Sequence, residues 1–228
     1  MDIVLIAGLW LDGSAWDEVA PELTSIGHHP LPLTLPGQGD GSASATFDEQ
    51  VATVLAALDS ASSRTVVVGH SAACTLAWIA ADARPDKVAT VVLIGGFPAS
   101  DGDAYADMFE LKDGVMPFPG WEPFDGPDSV DLDEEARRRL AAEAIPVPER
   151  VAKGVVRLSD ERRYKVPVVV VCPEFTPAQA RAWIESGDVP ELARVEDLEL
   201  VDIDSGHWPM LTKPKQLAQL LATASTKP

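Results

Sequence analysis

The sequence predicts an α/β chain built on a doubly wound, mostly parallel sheet of about six strands, with a small helical insertion. Three observations predict it. Short apolar runs rich in β-branched residues recur along the 228 residues, at Ile3–Ala7, Pro30–Leu35, Thr65–Gly69, Lys87–Ile94, Val166–Cys172 and Leu198–Ile203. Longer helical patterns separate them, which is the alternation of βαβ units. Several runs are apolar at consecutive positions, as parallel strands covered on both faces must be.

The helices have readable starts. Thr46 followed three residues later by Glu49 makes a capping box ahead of Phe47, Val51, Val54, Leu55 and Leu58, an apolar stripe at helical spacing. Thr176-Pro177 places an N-cap and a first-turn proline before residues 178–186, and Gly187 closes that helix. Thr212 and Pro214 are expected to open the last helix in the same way. From Phe97 to Lys165 no strand is predicted. That stretch holds Met108, Phe109, Met116, Phe118, Trp121 and Phe124 among prolines, glycines and acids, then a helix around Asp133–Ala144. A segment of this length without a strand reads as a functional insertion. It is expected to form a cap over the carboxyl ends of the strands, within a single domain spanning 1–228.

Composition narrows the function. A formal net charge of −18 opposes binding to nucleic acid or to an anionic membrane, so a small-molecule substrate is the expected partner. No apolar run approaches the roughly 20 residues of a membrane span. Cys74 and Cys172, each within an apolar run, fit a reducing compartment better than a disulfide framework. The N-terminus enters a strand at once and shows no secretory leader, so a cytoplasmic location is expected, as monomer or homodimer. No His/Cys/Asp cluster has metal-ligand spacing and no glycine-rich loop suits a phosphate, so no metal or cofactor is expected.

The informative segment is Thr65-Val66-Val67-Val68-Gly69-His70-Ser71-Ala72-Ala73, a strand running through a tight turn into the alanine-rich helix Cys74–Ala83. A serine at that junction is lifted to the carboxyl edge of the sheet, with a helix N-terminus behind it that favours developing negative charge. The turn demands small residues two before and two after the serine, and Gly69 and Ala73 are small. A serine that merely caps a helix is the plainer alternative. The second element is Asp204-Ser205-Gly206-His207-Trp208-Pro209, after the last strand. An imidazole there lies at the same sheet edge and suits a proton shuttle, because it titrates near neutral pH. His28 and His29 precede a strand and His70 lies inside the turn, which leaves His207.

Together, Ala7-Gly8-Leu9-Trp10 through Trp16, Gly37-Gln38-Gly39-Asp40, Gly69-His70-Ser71-Ala72-Ala73 and Gly206-His207-Trp208-Pro209 resemble the α/β-hydrolases of the esterase, lactonase and C–C hydrolase type. The resemblance covers most of the chain outside the insertion, although the family's usual first β-hairpin has no counterpart. It implies Ser71 as nucleophile, His207 as base, and an oxyanion hole from the backbone N–H groups of Leu9 and Ala72. Alanine stands at position 7 where many relatives carry histidine. The triad acid is the largest departure. Direct alignment puts Thr176 where the family usually has Asp, and Glu174 is the only carboxylate on that turn. Glu174 is therefore the first candidate, with Asp101 or Asp103 next and then Asp202 or Asp204. Trp10, Trp121 and Trp208 are candidates for the pocket wall, with plain packing as the alternative. The implied activity is hydrolysis of a small, largely apolar carboxylic ester, lactone or thioester. The same site could instead serve lyase, C–C hydrolase or cofactor-free oxygenase chemistry, or a non-catalytic binder, because fold does not fix function.

Overall fold

All six apolar runs enter one sheet. The computed structural model describes residues 1–225 and places strands β1 (Asp2–Ile6), β2 (His29–Leu33), β3 (Thr65–His70), β4 (Val88–Ile94), β7 (Val168–Cys172) and β8 (Leu198–Asp202) in the order β2-β1-β3-β4-β7-β8. Every pairing is parallel. The inner strands β3, β4 and β7 are buried along their whole length, which explains their uninterrupted Val/Ile/Leu runs. Edge strand β2 tolerates Pro30 and Pro32 because it pairs on one side only, with β1.

Helices α1 (Val19–Ser25), α2 (Phe47–Ser60), α3 (Cys74–Ala83), α6 (Pro177–Ser186) and α8 (Pro214–Ala224) lie between or after these strands. The capping boxes form at Thr46/Glu49 and Thr176/Gln179. The last helix begins differently from the expectation. Lys213 occupies its N-cap position without a side-chain bond, and Thr212 ends the short α7 (Pro209–Thr212) instead. Proline at the first helical position starts α8 without a capping oxygen, since its missing N–H would have had no partner there.

The stretch 97–165 contributes nothing to the main sheet. It does contain strands, against expectation: β5 (Val115–Met116) and β6 (Val147–Pro148) pair as a two-residue antiparallel ribbon. Segments so short carry no periodicity to read. The helices here are α4 (Glu134–Glu143), capped by Asp133, and α5 (Glu149–Ala152). No helix among the described residues is long and apolar enough to cross a membrane.

A buried ionic network anchors the exit from this stretch. The Arg163 guanidinium is 3.1 Å from both Asp82 Oδ1, on α3, and Glu191 Oε2, after α6. Glu191 also accepts from Trp78 Nε1 and the Tyr164 hydroxyl, and Asp82 accepts the N–H groups of Ser159 and Asp160. Because α3 runs away from the carboxyl edge of the sheet, its C-terminal Asp82 lies at the opposite edge. Arg163→Met would strand two buried carboxylates, an effect that typically costs about 3–5 kcal/mol. The expected result is a thermal midpoint lowered by on the order of 10 °C for a domain of this size, with turnover per folded molecule preserved. A calorimetric shift of under about 2 °C would mean that the network contributes little.

Candidate functional site

Parallel strands deliver their carboxyl ends to one edge, so five loops converge there: Ala7–Trp10 after β1, Ser71 after β3, Gly95 after β4, Glu174 after β7 and His207 after β8. The chain reverses its direction of winding between β1 and β3, and the crevice outside such a switch point is where open α/β sheets bind ligands.

Ser71 carries a φ of +56°, a left-handed conformation that non-glycine residues rarely adopt. It is the strained elbow of a strand-to-helix turn. Gly69 makes the turn possible, because a Cβ there would stand 2.3 Å from the Ala73 carbonyl oxygen. The loop after β1 packs directly on the elbow: a Cβ added at Gly8 would lie 2.9 Å from Ser71 Cβ. Leu9 follows Gly8 on that loop, and Ala72 follows Ser71 in the first turn leading to α3. The two backbone groups therefore flank the serine from different loops.

His207 is buried, and its Nδ1–H donates to Glu174 Oε1 at 2.8 Å, with both side chains at least 87 % covered (relative exposures 11% and 13%). The ring nitrogen is written as the donor because a carboxylate oxygen accepts, and in a neutral ring this tautomer has Nε2 as its acceptor. Glu174 Oε2 is buried without a hydrogen-bond partner among the described residues. The other carboxylates considered from sequence lie elsewhere. Asp101 accepts the N–H of Leu158 and Asp103 that of Ser100, while Asp202 and Asp204 are exposed. Thr176 caps α6.

Above this pair sits an aromatic cluster from the 97–165 stretch. Phe124 stacks 6.4 Å from the His207 ring and lies 5.5 Å from Trp208, which meets Trp121 at 5.5 Å. Trp10 meets Phe109, Phe118 and Phe124 edge-on at 5.2–5.9 Å. The three tryptophans singled out from sequence thus share one cluster, but they differ in placement. Of the three, only Trp10 also lines a cavity of about 500 Å³, which neither Ser71 nor His207 lines.

Sequence reasoning missed three contributors. Gly95, at φ +58°, brings its backbone against the ion pair: a Cβ there would stand 3.1 Å from His207 Nδ1 and 3.2 Å from Glu174 Oε2. A glycine pair after a strand was visible, but not what it faced. The other two hold the histidine's own backbone. Asp128 of the insertion accepts the His207 N–H through its carbonyl at 2.7 Å, and His70 Nε2–H donates to the His207 carbonyl at 2.7 Å. The backbone of His207 is clamped from the 97–165 stretch on one side and from the elbow on the other. Burial, then the Glu174 charge, pushes the Asp128 carboxyl up.

His70 is fully buried, and burial together with neighbouring His207 holds its pKa well below the usual imidazole range. It folds neutral and must take up a proton on unfolding below pH about 6.5. The unfolded state then binds more protons, so this contribution to stability is present above about pH 6.5 and is lost as the pH falls. In His70→Gln, whose amide can keep the donor, the unfolding free energy from urea titrations between pH 6.5 and 5 should fall less steeply, by up to about 1.4 kcal/mol per pH unit. Identical slopes in the two proteins would place the acid sensitivity elsewhere.

A family model described as "Alpha/beta hydrolase family" matches residues 3–220. Methylesterase 7 of Arabidopsis thaliana is 24% identical over 98% of this chain and 96% of its own length. Lipase LipV of Mycobacterium tuberculosis is 26% identical over 96% of this chain and 91% of its own. Among solved structures, an extracellular alpha/beta-hydrolase from a Paenibacillus species, described as sharing structural and functional homology with tobacco salicylic acid binding protein 2, superposes with a TM-score of 0.79. Its identity is 19%, and 100% of both chains is covered.

Proposed function

The chain belongs to the alpha/beta hydrolase family as a carboxylic ester hydrolase, and we propose that it cleaves small, largely apolar esters, lactones or thioesters through an acyl-enzyme on Ser71. The observation that carries this reading is the buried His207–Glu174 pair, which stands at the same sheet edge as a serine held in a strained elbow.

In this reading His207 Nε2 takes the Ser71 proton as Oγ attacks the carbonyl carbon. The buried Glu174 carboxylate stabilises the imidazolium that forms and keeps the ring in the useful tautomer. The N–H groups of Leu9 and Ala72 receive the developing oxyanion, and losing one such donor typically costs about 10²–10³ in kcat. Collapse of the tetrahedral intermediate expels the alcohol or thiol, which leaves with the proton from His207. Water, deprotonated by the same nitrogen, then releases the acid and restores the serine. The aromatic cluster around Trp10, Trp121 and Trp208 supplies an apolar wall, and a methylesterase among the relatives fits a small leaving alcohol.

The test uses p-nitrophenyl esters of graded acyl length together with a fluorophosphonate probe. Turnover of short esters and stoichiometric labelling of Ser71, located by peptide mass, is expected. A folded protein that neither labels nor hydrolyses any ester would be a binder, and the reading would fail.

A further inference from the structure

The 500 Å³ cavity lies between the loop after β1, the cap helix α4 and the end of α7. Its size is that of a small-molecule site. Leu11, Ala15, Leu132, Leu140, Ile145 and Leu211 form the apolar part of a mixed lining. Asp12, Asp131, Asp133 and Glu143 face a single cation, Arg139, so the charged lining disfavours an anionic guest. It does not reach the reacting groups, since neither Ser71 nor His207 borders it.

Trp10 borders the cavity and also packs toward the reaction site. Its indole lines the cavity and packs edge-on against Phe124, whose ring stacks on His207. Its backbone immediately follows Leu9. The side chain is held by a bond from Nε1 to the Met116 carbonyl at 3.2 Å, and the carbonyl of Trp10 accepts from Ile145 N–H at 2.9 Å. All this is kept in a left-handed backbone, φ +63°, which a bulky residue rarely adopts. Strain of that kind persists where the surroundings enforce it, and it gathers at ligand clamps and active sites.

Resting on the hydrolase reading above, we propose that Trp10 is a specificity-determining partition: it closes the reaction site off from the cavity and so limits the length of the ester's alkyl chain. The cavity is the space a neutral, medium-length alkyl chain enters once the partition is removed. The chain can belong to the acyl group or to the alcohol, since both radiate from the carbonyl that Ser71 attacks.

Trp10→Gly tests this, because glycine removes the whole side chain and adopts φ +63° without strain. Two series are measured, p-nitrophenyl acyl esters from acetate to decanoate and acetate esters of alcohols of the same lengths. Each methylene moved out of water is worth about fourfold in kcat/KM, so the octanoate-to-butanoate ratio should rise on the order of 10²-fold in one of the series. An ω-carboxylate ester of the same length should gain far less. Ala136→Trp, which fills the cavity from α4, should return the ratio to near its original value when added to Trp10→Gly. Trp10→Asn also suits a positive φ and replaces the glycine variant if that variant does not fold. An unchanged ratio in a variant that still turns over short esters overturns the partition alone. So does a raised ratio that Ala136→Trp leaves in place. An original protein inert to every ester in both series overturns the hydrolase reading, and the partition with it.

Discussion

Ser71→Ala is expected to lower kcat for short p-nitrophenyl esters by on the order of 10⁶-fold, by analogy with removing the nucleophile of a serine protease. Cys74 is three residues away and is the nearest thiol in sequence, but it is fully buried. Its Sγ donates to the Gly69 carbonyl at 3.3 Å, and burial raises its pKa far above the working range. The substitution should leave stability almost untouched. Ser71 is only partly buried, and alanine keeps the Cβ that already sits in the left-handed conformation, so the elbow's strain is neither relieved nor increased. The measurement is kcat with the thermal midpoint recorded on the same sample. Residual turnover above about 10⁻³ of the original would move the nucleophile elsewhere, and a large fall in midpoint would make Ser71 a structural residue.

Much of this architecture was legible in the chain because burial on both faces writes itself as uninterrupted apolar runs. β3 and β4 read directly as Thr65–Gly69 and Lys87–Ile94, within a residue of their observed ends. β7 begins two residues later than its apolar run, after Pro167, whose missing N–H cannot join a ladder. The elbow was legible for a similar reason. A strand, a small residue, a serine, a small residue and a helix form a local pattern, and the close approach of Gly69 to Ala73 is a local constraint.

What could not be read is long-range and made by backbone. The bond from His70 to the His207 carbonyl joins residues 137 apart, and the His207 N–H is held by the main-chain oxygen of Asp128, 79 residues earlier. No side-chain pattern encodes either. The carboxylate partner of His207 lies between these cases. Alignment pointed to position 176, where threonine serves as the N-cap of α6, and the only carboxylate on the turn was two residues earlier. Choosing among Glu174, Asp101, Asp103, Asp202 and Asp204 required knowing what else each one bonds. Asp101 and Asp103 turned out to satisfy backbone N–H groups of the stretch after β4 and its neighbours.

Glu174→Gln is expected to lower kcat by about 10³–10⁴ while leaving KM within about threefold, by analogy with removing the acid's charge in a serine protease. The argument is one of tautomer and charge. As carboxylate, Glu174 Oε1 can only accept, which keeps the proton on His207 Nδ1 and leaves Nε2 free to receive the serine proton. The amide can instead present its NH₂ to Nδ1, and the proton then moves to Nε2, where it blocks the base. Even with the amide oxygen facing the ring, the imidazolium would lose a buried counter-charge. The Gly95 backbone leaves little room for the side chain to adapt, since a Cβ there would stand 3.2 Å from Glu174 Oε2. KM should hold because the pair touches the ring of His207 rather than the apolar wall. Asp204→Asn and Asp101→Asn remove equal charge from the exposed loop and from the Leu158 contact, and each should cost less than about tenfold. Retention of a tenth or more of kcat in Glu174→Gln, or a loss matched by either aspartate variant, would take the role away from Glu174.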